Sequence, residues 1–562
     1  MRFSLSIIIL LGLFLNLNAS PSDFSKRKQK DKPEEESGIS VGMARAWILY
    51  NNKDYYGALR IYRELYKKAP SNAKLNYRIG VCFEATNKKD SAIYHLNKAL
   101  LKDSLINDKA YYYLGTSYQY NDKLDKAIDN YYTYKAKDPE NNTDVNRLLR
   151  QCETAKYMKN NPVDVKITLL GENINSKYVD ASPSITADEQ TLIFTSRRKE
   201  NIGGELSESN EQYYDDIYIS KWDKTANEWG KAENIGKPIN TSSFDANLSI
   251  SPNGEQLFIY KNKTGETGSG DIYVSTFNKE GKWSKPKPID GKPVSSTGFS
   301  DYKNINSTFF ESSASVTADG NTMYFVSERE RGGLGHGDIW VSEKADGVWQ
   351  QPKNIGPIIN TEFDELGVYI HPDGKTLFFS SEGHNSIGGH DIFLTTKNDD
   401  GQWSTPVNMG YPINTTKEEI HFVLTTSKQK AYISSTRPKG IGMVDIYEID
   451  MSNYFQSNNN ISKDLVKDLI SQETAIIRGS IVDSDTGKPL KAEIEITNIK
   501  THEKIVILSE KNGNYFASLV ADVKYSITVT SKSFKPYSFK LKLEPSKDGK
   551  TQTVTKHILL KK

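Results

Sequence analysis

The apolar residues between 163 and 450 fall into short, strand-length runs that recur in a fixed order. In the fullest copy, a His-Pro-Asp-Gly turn at 371–374 precedes the apolar run Leu377–Phe379, and a second run, Asp391–Leu394, follows a pair of glycines. The Asp-Ile-aromatic start of the second run occurs five times, with spacings of 55, 67, 53 and 54 residues. Its first residues are Asp216, Asp271, Asp338, Asp391 and Asp445. Self-similarity at this period, built from short strands, predicts a five-bladed β-propeller over residues 163–450.

The same region predicts how the ring of blades closes. Copies end in a phrase of the type Asn-x-Gly…Ile-Asn, for example Asn234–Asn240 and Asn354–Asn360, which we interpret as the outermost strand of a blade. The fifth copy lacks this phrase, whereas an orphan version, Leu169–Asn175, precedes the first copy. We therefore expect residues 165–175 to supply the outer strand of the last blade, so that no strand edge stays unpaired at the seam.

Residues 39–160 carry a different repeat, with a period of roughly 34. Small residues recur at this spacing, and a large residue follows four positions after each small residue of the second helix. The small positions are Ala58, Ala92 and Ala127, with Gly80 and Gly115 in the first helices, and the large positions are Tyr62, Leu96 and Tyr131. This pattern resembles the tetratricopeptide repeat, in which small residues let two antiparallel helices approach closely. It predicts an α-helical solenoid of three repeats with a capping helix near 140–159.

The tetratricopeptide resemblance implies a binding groove lined by the first helix of each unit. An amphipathic, aromatic groove of this kind would hold a segment of a partner protein. Alternatively, Tyr77 and Tyr112 simply pack between helices, since tyrosine is used throughout this chain. The positions of this chain that match the groove are Trp47, Tyr50, Lys74, Tyr77, Glu84, Lys109, Tyr112 and Gln119.

A third domain is predicted over residues 474–562, after a polar linker at 451–473 with a short helix near 463–470. Apolar and polar residues alternate from Thr474 onward, as expected for strands. The stretch Gly479–Leu490 resembles the start of the carboxypeptidase regulatory-like domain, a small transthyretin-like β-sandwich. Asp483 and Asp485 also resemble part of a calcium loop, but the remaining ligands of that loop are missing, so we interpret them as turn residues.

The N-terminus and the charge balance restrict the cellular context. The apolar core Leu5–Leu15, followed by the small residues Ala19 and Ser20, predicts a cleavable signal peptide over residues 1–20 rather than a membrane span. No cysteine lies directly after this apolar core, so a bacterial lipoprotein anchor is not expected. Residues 21–38 are rich in charge and predict a disordered tether, with a solvated helix start as the alternative. Lys and Arg number 73 against 71 Asp and Glu, so no nucleic-acid footprint is indicated.

The sequence contains no recognisable catalytic or metal-binding motif. The histidines are spread over several repeats without H-E-x-x-H spacing, and no G-x-S-x-G elbow or nucleotide-binding glycine loop is present. We interpret the aspartate of each Asp-Ile-aromatic run as a loop cap rather than a metal ligand. Cys82 and Cys152 are about two repeats apart, which favours two buried thiols over a disulfide, although an exported protein can form one. The chain is therefore not expected to be an enzyme or to use a cofactor or metal.

The loops of the third and fourth copies are the candidate recognition loops of the propeller. They are long and polar, and loops on a rigid scaffold are where binding usually occurs. The insertion at 296–310, which lengthens one period to 67, is a further candidate. The residues singled out in the loops are Arg329, Arg331, Glu382 and His384.

The domain order resembles that of the periplasmic PorE-type proteins of Bacteroidota. That resemblance implies a periplasmic protein peripherally associated with the outer membrane and with type IX secretion or gliding machinery. Those proteins usually end in an OmpA-like domain, for which no sequence remains here, so peptidoglycan contact is not expected. The first hypothesis is a non-enzymatic scaffold that binds protein partners of an outer-membrane complex. A glycan- or peptide-sensing module and a hydrolase with an unusual site are the alternatives.

Overall fold

A computed structural model describes residues 37–140, 143–204, 206–207, 211–262, 270–290, 303–458, 473–545 and 551–562. The expected signal peptide, the tether up to residue 36 and the short helix at 463–470 lie outside these ranges. The chain divides into two compact units. The first contains residues up to 160 together with 206–213, and the second contains the remaining residues to the C-terminus.

The first unit consists, in its described residues, of three helical hairpins and one further helix. The first helix begins at Ser37, two residues inside the stretch expected to be a tether. Two of the helix starts carry side-chain caps: Asp54 accepts a hydrogen bond from Gly57 N at 2.7 Å, and Asn72 accepts one from Leu75 N at 2.9 Å. The helices are α1 (Ser37–Asn51), α2 (Tyr55–Lys68), α3 (Ala73–Ala85), α4 (Lys89–Lys102), α5 (Lys109–Tyr120), α6 (Leu124–Lys137) and α7 (Thr143–Asn160).

The small residues of the 34-residue period lie where two helices of a hairpin approach. A Cβ atom placed on Gly80 would come within 2.7 Å of Leu96 Cγ, and one placed on Gly115 would overlap the ring of Tyr131. Leu96 and Tyr131 are fully buried against these glycines. The pairs of small and large residues in the sequence are thus the contacts that set the helix spacing.

The second unit begins with five antiparallel sheets of four or five strands. In each sheet the first three strands lie in sequence order, and in sheets one and three the third strand pairs with both of the short strands that follow it. The fifth sheet is completed by a strand that precedes the first sheet in the chain. Sheet one contains β2 (Asp180–Ile185), β3 (Thr191–Ser196), β4 (Asp216–Asp223), β5 (Glu228–Trp229) and β6 (Glu233–Asn234), and sheet two contains β7 (Phe244–Ile250), β8 (Gln256–Asn262), β9 (Asp271–Thr276) and β10 (Lys287–Pro288). Sheet three contains β11 (Glu311–Val316), β12 (Thr322–Ser327), β13 (Asp338–Ala345), β14 (Val348–Trp349) and β15 (Lys353–Asn354). Sheet four contains β16 (Glu365–Ile370), β17 (Thr376–Ser381), β18 (Asp391–Thr396) and β19 (Val407–Asn408), and sheet five contains β20 (Glu419–Leu424), β21 (Lys430–Ser435), β22 (Asp445–Asp450) and β1 (Lys166–Leu169).

The first strands of the five sheets neighbour one another in a closed cycle. The neighbours are β2 and β7, β7 and β11, β11 and β16, β16 and β20, and finally β20 and β2. The seam is completed by β1, which pairs antiparallel with β22, so that Lys166 lies opposite Asp450 and Leu169 opposite Tyr447. The orphan phrase at 165–175 therefore does supply the outer strand of the fifth sheet. The outer strands of the second, third and fourth sheets are shorter than the closing phrases suggested, because only two residues of each pair with the sheet.

The last part of the second unit is a pair of four-stranded sheets around one apolar core. Alternating residues of both sheets, such as Ile494, Ile496, Ile527 and Tyr515, point into this core and are buried. One sheet contains β23 (Thr474–Asp483), β26 (Asn514–Val520), β29 (Thr553–Thr555) and β30 (Ile558–Leu560), and the other contains β24 (Glu493–Asn498), β25 (Lys504–Leu508), β27 (Lys524–Thr530) and β28 (Tyr537–Lys542). A single-turn helix, α8 (Tyr454–Ser457), precedes this domain in the chain.

This two-sheet domain packs on the turns that join the first and second strands of the ring sheets. Phe516 and Ile476 share a small apolar cluster with Ala187. Beside it, the Arg478 guanidinium lies 3.0 Å from the Asp188 carboxylate. The long polar loops of the ring lie at the other end of the strands. In the part of the chain that the structure describes, no helix is long and apolar enough to cross a membrane.

Candidate binding surfaces

Four of the five aspartates of the Asp-Ile-aromatic runs hold the loops that precede them, as expected from the sequence; they are Asp216, Asp338, Asp391 and Asp445. Asp216 Oδ2 accepts hydrogen bonds from Ile202 N and Asn234 Nδ2, both at 2.7 Å. Asp391 accepts in the same way from Ile387 N at 2.6 Å and Asn408 Nδ2 at 2.9 Å. Burial raises the pKa of Asp216 to about 7, because the charged carboxylate loses its hydration. These carboxylates are loop caps.

The second asparagine of each closing phrase binds the backbone of the neighbouring third strand. Asn240 Oδ1 accepts from Ile217 N and its Nδ2 donates to Ile217 O, both at 2.9 Å. The sequence phrase was recognised, but this role was not, and the member in the second sheet was missed because the insertion separates it from the rest of the phrase. The five pairs are Asn240 with Ile217, Asn306 with Ile272, Asn360 with Ile339, Asn414 with Ile392, and Asn175 with Ile446.

Each ring sheet also has a buried acidic residue at the start of its first strand, which was not expected from the sequence. Each of them accepts hydrogen bonds from the backbone N–H and hydroxyl of a serine or threonine four residues earlier. A signal for them exists in the sequence, since a basic residue follows four of the five after 16 or 18 positions. The acidic residues are Asp180, Asp245, Glu311, Glu365 and Glu419.

Four of the five acidic residues face a cation that lies at the end of the second strand or on the loop that follows it. Arg198 lies 3.1 Å from Asp180, and Arg437 lies 4.0 Å from Glu419. Lys261 pairs with Asp245, and Arg329 lies 3.2 Å from Glu311. Each cation also donates to a carbonyl oxygen in the closing phrase of the preceding sheet, so it links two neighbouring sheets; the acceptors are Ile174, Ile239, Ile305 and Ile413.

Arg329 was expected on a recognition loop, and this expectation is wrong. Its side chain is buried, paired with Glu311, and donates to the carbonyl oxygens of Asn304 and Ile305. The guanidinium also lies over the ring of Trp340, 5.1 Å from its centroid. Although Arg329 lies in a polar loop, its charge is paired inside the protein. Arg331, two residues later, is exposed.

The fourth sheet departs from this arrangement. Gly383 occupies the position of the arginine, and the next residue, His384, donates its Nε2 hydrogen to Ile359 O at 2.9 Å. In the described residues Glu365 accepts hydrogen bonds from Thr361 and Ser381 and pairs with no cation. Burial raises the pKa of Glu365 to about 8. An open cleft of about 570 Å³ lies beside His384. Its lining residues are Pro357, Ile358, Asn360, Thr361, Glu362, Phe363, His384 and Thr405.

Glu382 lies on the same loop and faces a buried histidine. His390 Nδ1 is 3.0 Å from Glu418 Oε2 and 3.8 Å from Glu382 Oε1. Burial by itself lowers the pKa of His390, but the two carboxylates outweigh it and raise the pKa to about 9. Burial and the charge of His390 lower the pKa of nearby His421 to about 4. Glu382 thus balances an imidazolium charge within the loop end of the ring.

In the helical unit, the first helices bring together an aromatic patch, which we define as Trp47, Tyr50, Tyr77 and Tyr113 with Arg78. Trp47 stacks on Tyr50 with ring centroids 5.3 Å apart, and the Arg78 guanidinium lies 4.0 Å from the Trp47 ring centroid. Burial and the neighbouring phenols raise the pKa of both Tyr50 and Tyr77 well above its usual value. All five side chains keep part of their surface exposed. Tyr113 and Arg78 were not singled out in the sequence.

The remaining groove residues divide into exposed and internal ones. Lys74 and Lys109 are exposed at the starts of α3 and α5. The Tyr112 hydroxyl donates to the Asp144 carboxylate, and Glu84 holds Lys89 at 3.0 Å. The expectation that Gln119 lies on the groove surface is wrong, because its side chain is buried.

Gln119 belongs to the interior of the helical unit. It is buried, and its Oε1 accepts from the Tyr131 hydroxyl at 2.7 Å. Cys82 and Cys152 are both buried free thiols, as the repeat spacing favoured. Burial raises the pKa of Cys152 to about 12.

Asp483, which resembles part of a calcium loop in the sequence, lies in a turn. Its Oδ1 accepts from the backbone N–H of Asp485 at 2.8 Å and of Thr486 at 3.3 Å, which is the geometry of a turn. Among the residues that the structure describes, no three His, Cys, Asp or Glu side chains are arranged to hold a metal ion.

No protein-family model matches this sequence, and no curated protein matches it. Among solved structures, the chain is similar to the first tetratricopeptide domain of Spaghetti (RPAP3) bound to an HSP90 peptide, with 21% identity over 21% of this chain and 93% of that chain (TM-score 0.20). It is similar to the type III secretion chaperone SycD of Yersinia enterocolitica in complex with a peptide of the translocator YopD, with 15% identity over 22% of this chain and 96% of that chain (TM-score 0.20). It is also similar to an α-L-arabinofuranosidase from Lactobacillus brevis, with 15% identity over 41% and 78% of the two chains (TM-score 0.27).

Proposed function

We propose that this protein is a non-enzymatic scaffold of the bacterial periplasm that binds protein partners through its helical unit. In this proposal the seven helices form a tetratricopeptide solenoid. The closed cycle of five sheets is a five-bladed β-propeller, and the C-terminal pair of sheets is a carboxypeptidase regulatory-like sandwich. The partners belong to an outer-membrane complex, and the domain order suggests type IX secretion or gliding machinery.

The aromatic patch of the helical unit carries this proposal. Trp47 and Tyr50 form a stacked, partly exposed pair, and Arg78 adds a cation on the face of the indole. Aromatic and arginine side chains in such settings dominate the binding energy of protein interfaces. Lys74 and Lys109 are exposed on the same set of first helices, at their N-terminal ends. This combination suits an extended segment with apolar anchors and acidic flanks.

The ring supports a scaffold role in a different way. Its buried charges are used within the sheets, where pairs such as Glu311 with Arg329 and Asp215 with Arg197 tie loops to strands. Such pairing favours a rigid platform over a site of bond-breaking chemistry. Cofactors, metals and nucleic acid play no part in the proposed function.

A second candidate function is the sensing of glycans or peptides at the loop end of the ring. The observation that favours it is the cleft beside His384, where the fourth sheet has Gly383 in place of the arginine that pairs with the acidic residue in the first, third and fifth. Phe363 offers an apolar surface in this cleft, and Asn360 and Glu362 lie at the same place.

The test is crosslinking in the native cell with the full-length protein and its variants. The double substitution Trp47→Ala and Tyr50→Ala should abolish crosslinks to an envelope protein. The control is Tyr132→Ala, which removes a tyrosine that is 58% exposed on α6, outside the aromatic patch. Crosslinks unaffected by the double substitution would overturn the proposal. Binding of glycans or muropeptides that is lost in His384→Ala, with no protein partner, would favour the second candidate.

A further inference from the structure

The β25 strand of the C-terminal domain is an unprotected apolar edge. It forms one end of the sheet ordered β25, β24, β27, β28, and in the described residues it pairs with β24 alone. Ile505, Val506 and Leu508 are 45%, 51% and 58% exposed, and Ile507 is the one buried residue of the strand. Exposed edges of this kind are templates for pairing with another strand.

The register of β25 shows which of its backbone groups are available. Asn498 N donates to Glu503 O, and Ser509 N donates to Ala492 O, at the two ends of the pairing with β24. Antiparallel strands alternate between residues that bond to one neighbour and residues that bond to the other. Ile505 and Ile507 therefore bond to β24, whereas Lys504, Val506 and Leu508 direct their N–H and C=O groups outward.

The opposite edge of the same sheet has the usual protection. Leu543 N donates to Val523 O, so residue 543 bonds to β27. By the same alternation, the backbone groups of Ser538, Lys540 and Lys542 on β28 point outward. Two lysines in a row of three disfavour the approach of another strand, because the ammonium groups must stay hydrated. On β25 the single lysine, Lys504, stands at the end of the row and pairs with Glu495 at 3.1 Å. The two edges therefore differ in how readily they accept a partner.

We propose that β25 pairs antiparallel with β25 of a second copy of this chain, about a twofold axis at Val506. In this arrangement Val506 lies opposite Val506 of the second copy, and Lys504 lies opposite Leu508. All three outward-directed residues then exchange backbone hydrogen bonds with their partners, and Ile505 meets Ile507 on the other face. The strand is complementary to itself in both hydrogen bonding and hydrophobicity, which is the condition for a twofold contact.

The charges of the sheet agree with this register. Glu493 lies opposite Leu508 in the pairing of β24 with β25. The twofold axis places Lys504 of the second copy on the far side of Leu508 in the same row. This lysine would then exchange Glu495 of its own copy for Glu493 of the other copy, with its side chain lying over Leu508, so that each copy offers an anion to the other's cation.

The contact joins two four-stranded sheets into one of eight strands. It involves one five-residue edge from each copy, so it is smaller than the roughly 1,200 Å² of a stable interface and should be reversible. Pairing of two scaffolds would place two copies of each partner-binding surface in one assembly, which strengthens binding to a multivalent partner complex.

The experiment is sedimentation equilibrium of the mature chain at increasing concentration, up to about 500 µM, the range suited to a weak contact. The wild-type chain should show a monomer–dimer equilibrium, and Val506→Lys should weaken association at least tenfold. The matched control is Ser538→Lys at the outward position of β28, which should leave association unchanged. Because both positions are exposed, circular dichroism should show unaltered folding in both variants. A chain that stays monomeric, or a dimer that persists in Val506→Lys, would refute the proposal.

Crosslinking of an introduced cysteine tests the twofold axis separately. Val506→Cys should form a covalent dimer with a short bis-maleimide, whereas Ser538→Cys should not. The native Cys82 and Cys152 are buried and should not react in the folded protein. Capture of a foreign envelope protein at position 506, in place of a second copy, would overturn the identity of the occupant.

Discussion

The side chain of Asn175 holds the backbone of Ile446, which lies 271 residues later in the chain. Asn175 Oδ1 accepts from Ile446 N at 2.8 Å, and its Nδ2 donates to Ile446 O at 2.9 Å. In the other four sheets the equivalent asparagine and isoleucine belong to the same repeat and are 21 to 34 residues apart. The same local clamp thus becomes the contact that closes the ring.

Replacing Asn175 with alanine should open this seam. The substitution leaves the buried N–H and C=O of Ile446 without partners, which should lower the free energy of unfolding by about 3 kcal/mol. Urea denaturation gives this value, and hydrogen exchange should increase in β1 and β22 first. Asn414→Ala removes the same clamp within one repeat and serves as the control. If exchange rises in all five sheets equally, Asn175 has no special role at the seam.

The buried acidic residues of the ring should respond differently to neutralisation. Glu311→Gln leaves the Arg329 guanidinium buried without an anion, so the free energy of unfolding should fall by about 3 kcal/mol. Glu365→Gln removes a carboxylate that pairs with no cation in the described residues, and the loss should be much smaller. Thermal unfolding of both variants at pH 7 makes the comparison. Equal losses would show that the cations do not stabilise the acidic residues.

The effect of Glu365 should also depend on pH. Its pKa is about 8 in the folded chain against about 4.5 for an unfolded glutamate, so ionisation is suppressed by folding. The destabilisation is therefore absent below about pH 4.5, grows as the pH rises to about 8, and is constant above that. Unfolding of wild type and Glu365→Gln between pH 5 and 9 should show the variant gaining relative stability as pH rises. A pH-independent difference would contradict this assignment.

A second pH effect is expected where the C-terminal domain meets the ring. Burial and the carboxylate of Glu255 raise the pKa of Glu510 to about 7, and Asn253 Nδ2 donates to Glu510 at 3.2 Å. Since the folded pKa exceeds the unfolded one, Glu510 destabilises the contact as the pH rises from about 4.5 to 7. Glu510→Gln should stabilise the chain on the order of 1 kcal/mol at pH 8 after allowance for solvent screening, and not at pH 4.5. Differential scanning calorimetry tests this, with the exposed Glu493→Gln as the control.

The helix spacing of the repeats should depend on Gly115. Alanine is a better helix former by up to about 1 kcal/mol, but its Cβ would overlap the ring of Tyr131. We expect the cost of the steric overlap to exceed the gain in helix propensity, so that the free energy of unfolding falls by about 1–3 kcal/mol. In a Tyr131→Leu background the same substitution should be neutral or stabilising. Chemical denaturation of the four chains of this cycle measures the coupling, and a coupling near zero would exclude the steric explanation.

Local patterns were enough to predict most elements of this protein. The 34-residue spacing predicted three helical hairpins and a last helix, because small and large residues four apart on one helix meet the same partner helix. The orphan phrase at 165–175 predicted the strand that completes the fifth sheet. Four of the five aspartates before Ile-aromatic runs are loop caps, as the sequence predicted, since such capping involves residues close in sequence.

The candidate site was predicted less well, for a physical reason. Whether a polar residue faces solvent depends on residues that sequence spacing does not bring together. Arg329 lies in a polar loop, yet Glu311 and Trp340 surround it. Gln119 follows the groove pattern, yet it is buried and its Oε1 accepts a hydrogen bond from the Tyr131 hydroxyl of the next helix.

The sequence by itself determined the repeats, the strands and helices within them, and the segment that closes the ring, because these follow from hydrophobic period and local hydrogen bonding. Only the tertiary structure decided which charged side chains are buried and paired inside the protein, and that β25 keeps an apolar edge exposed. Burial and ion pairing depend on distances between segments, and those distances exist only in the folded chain.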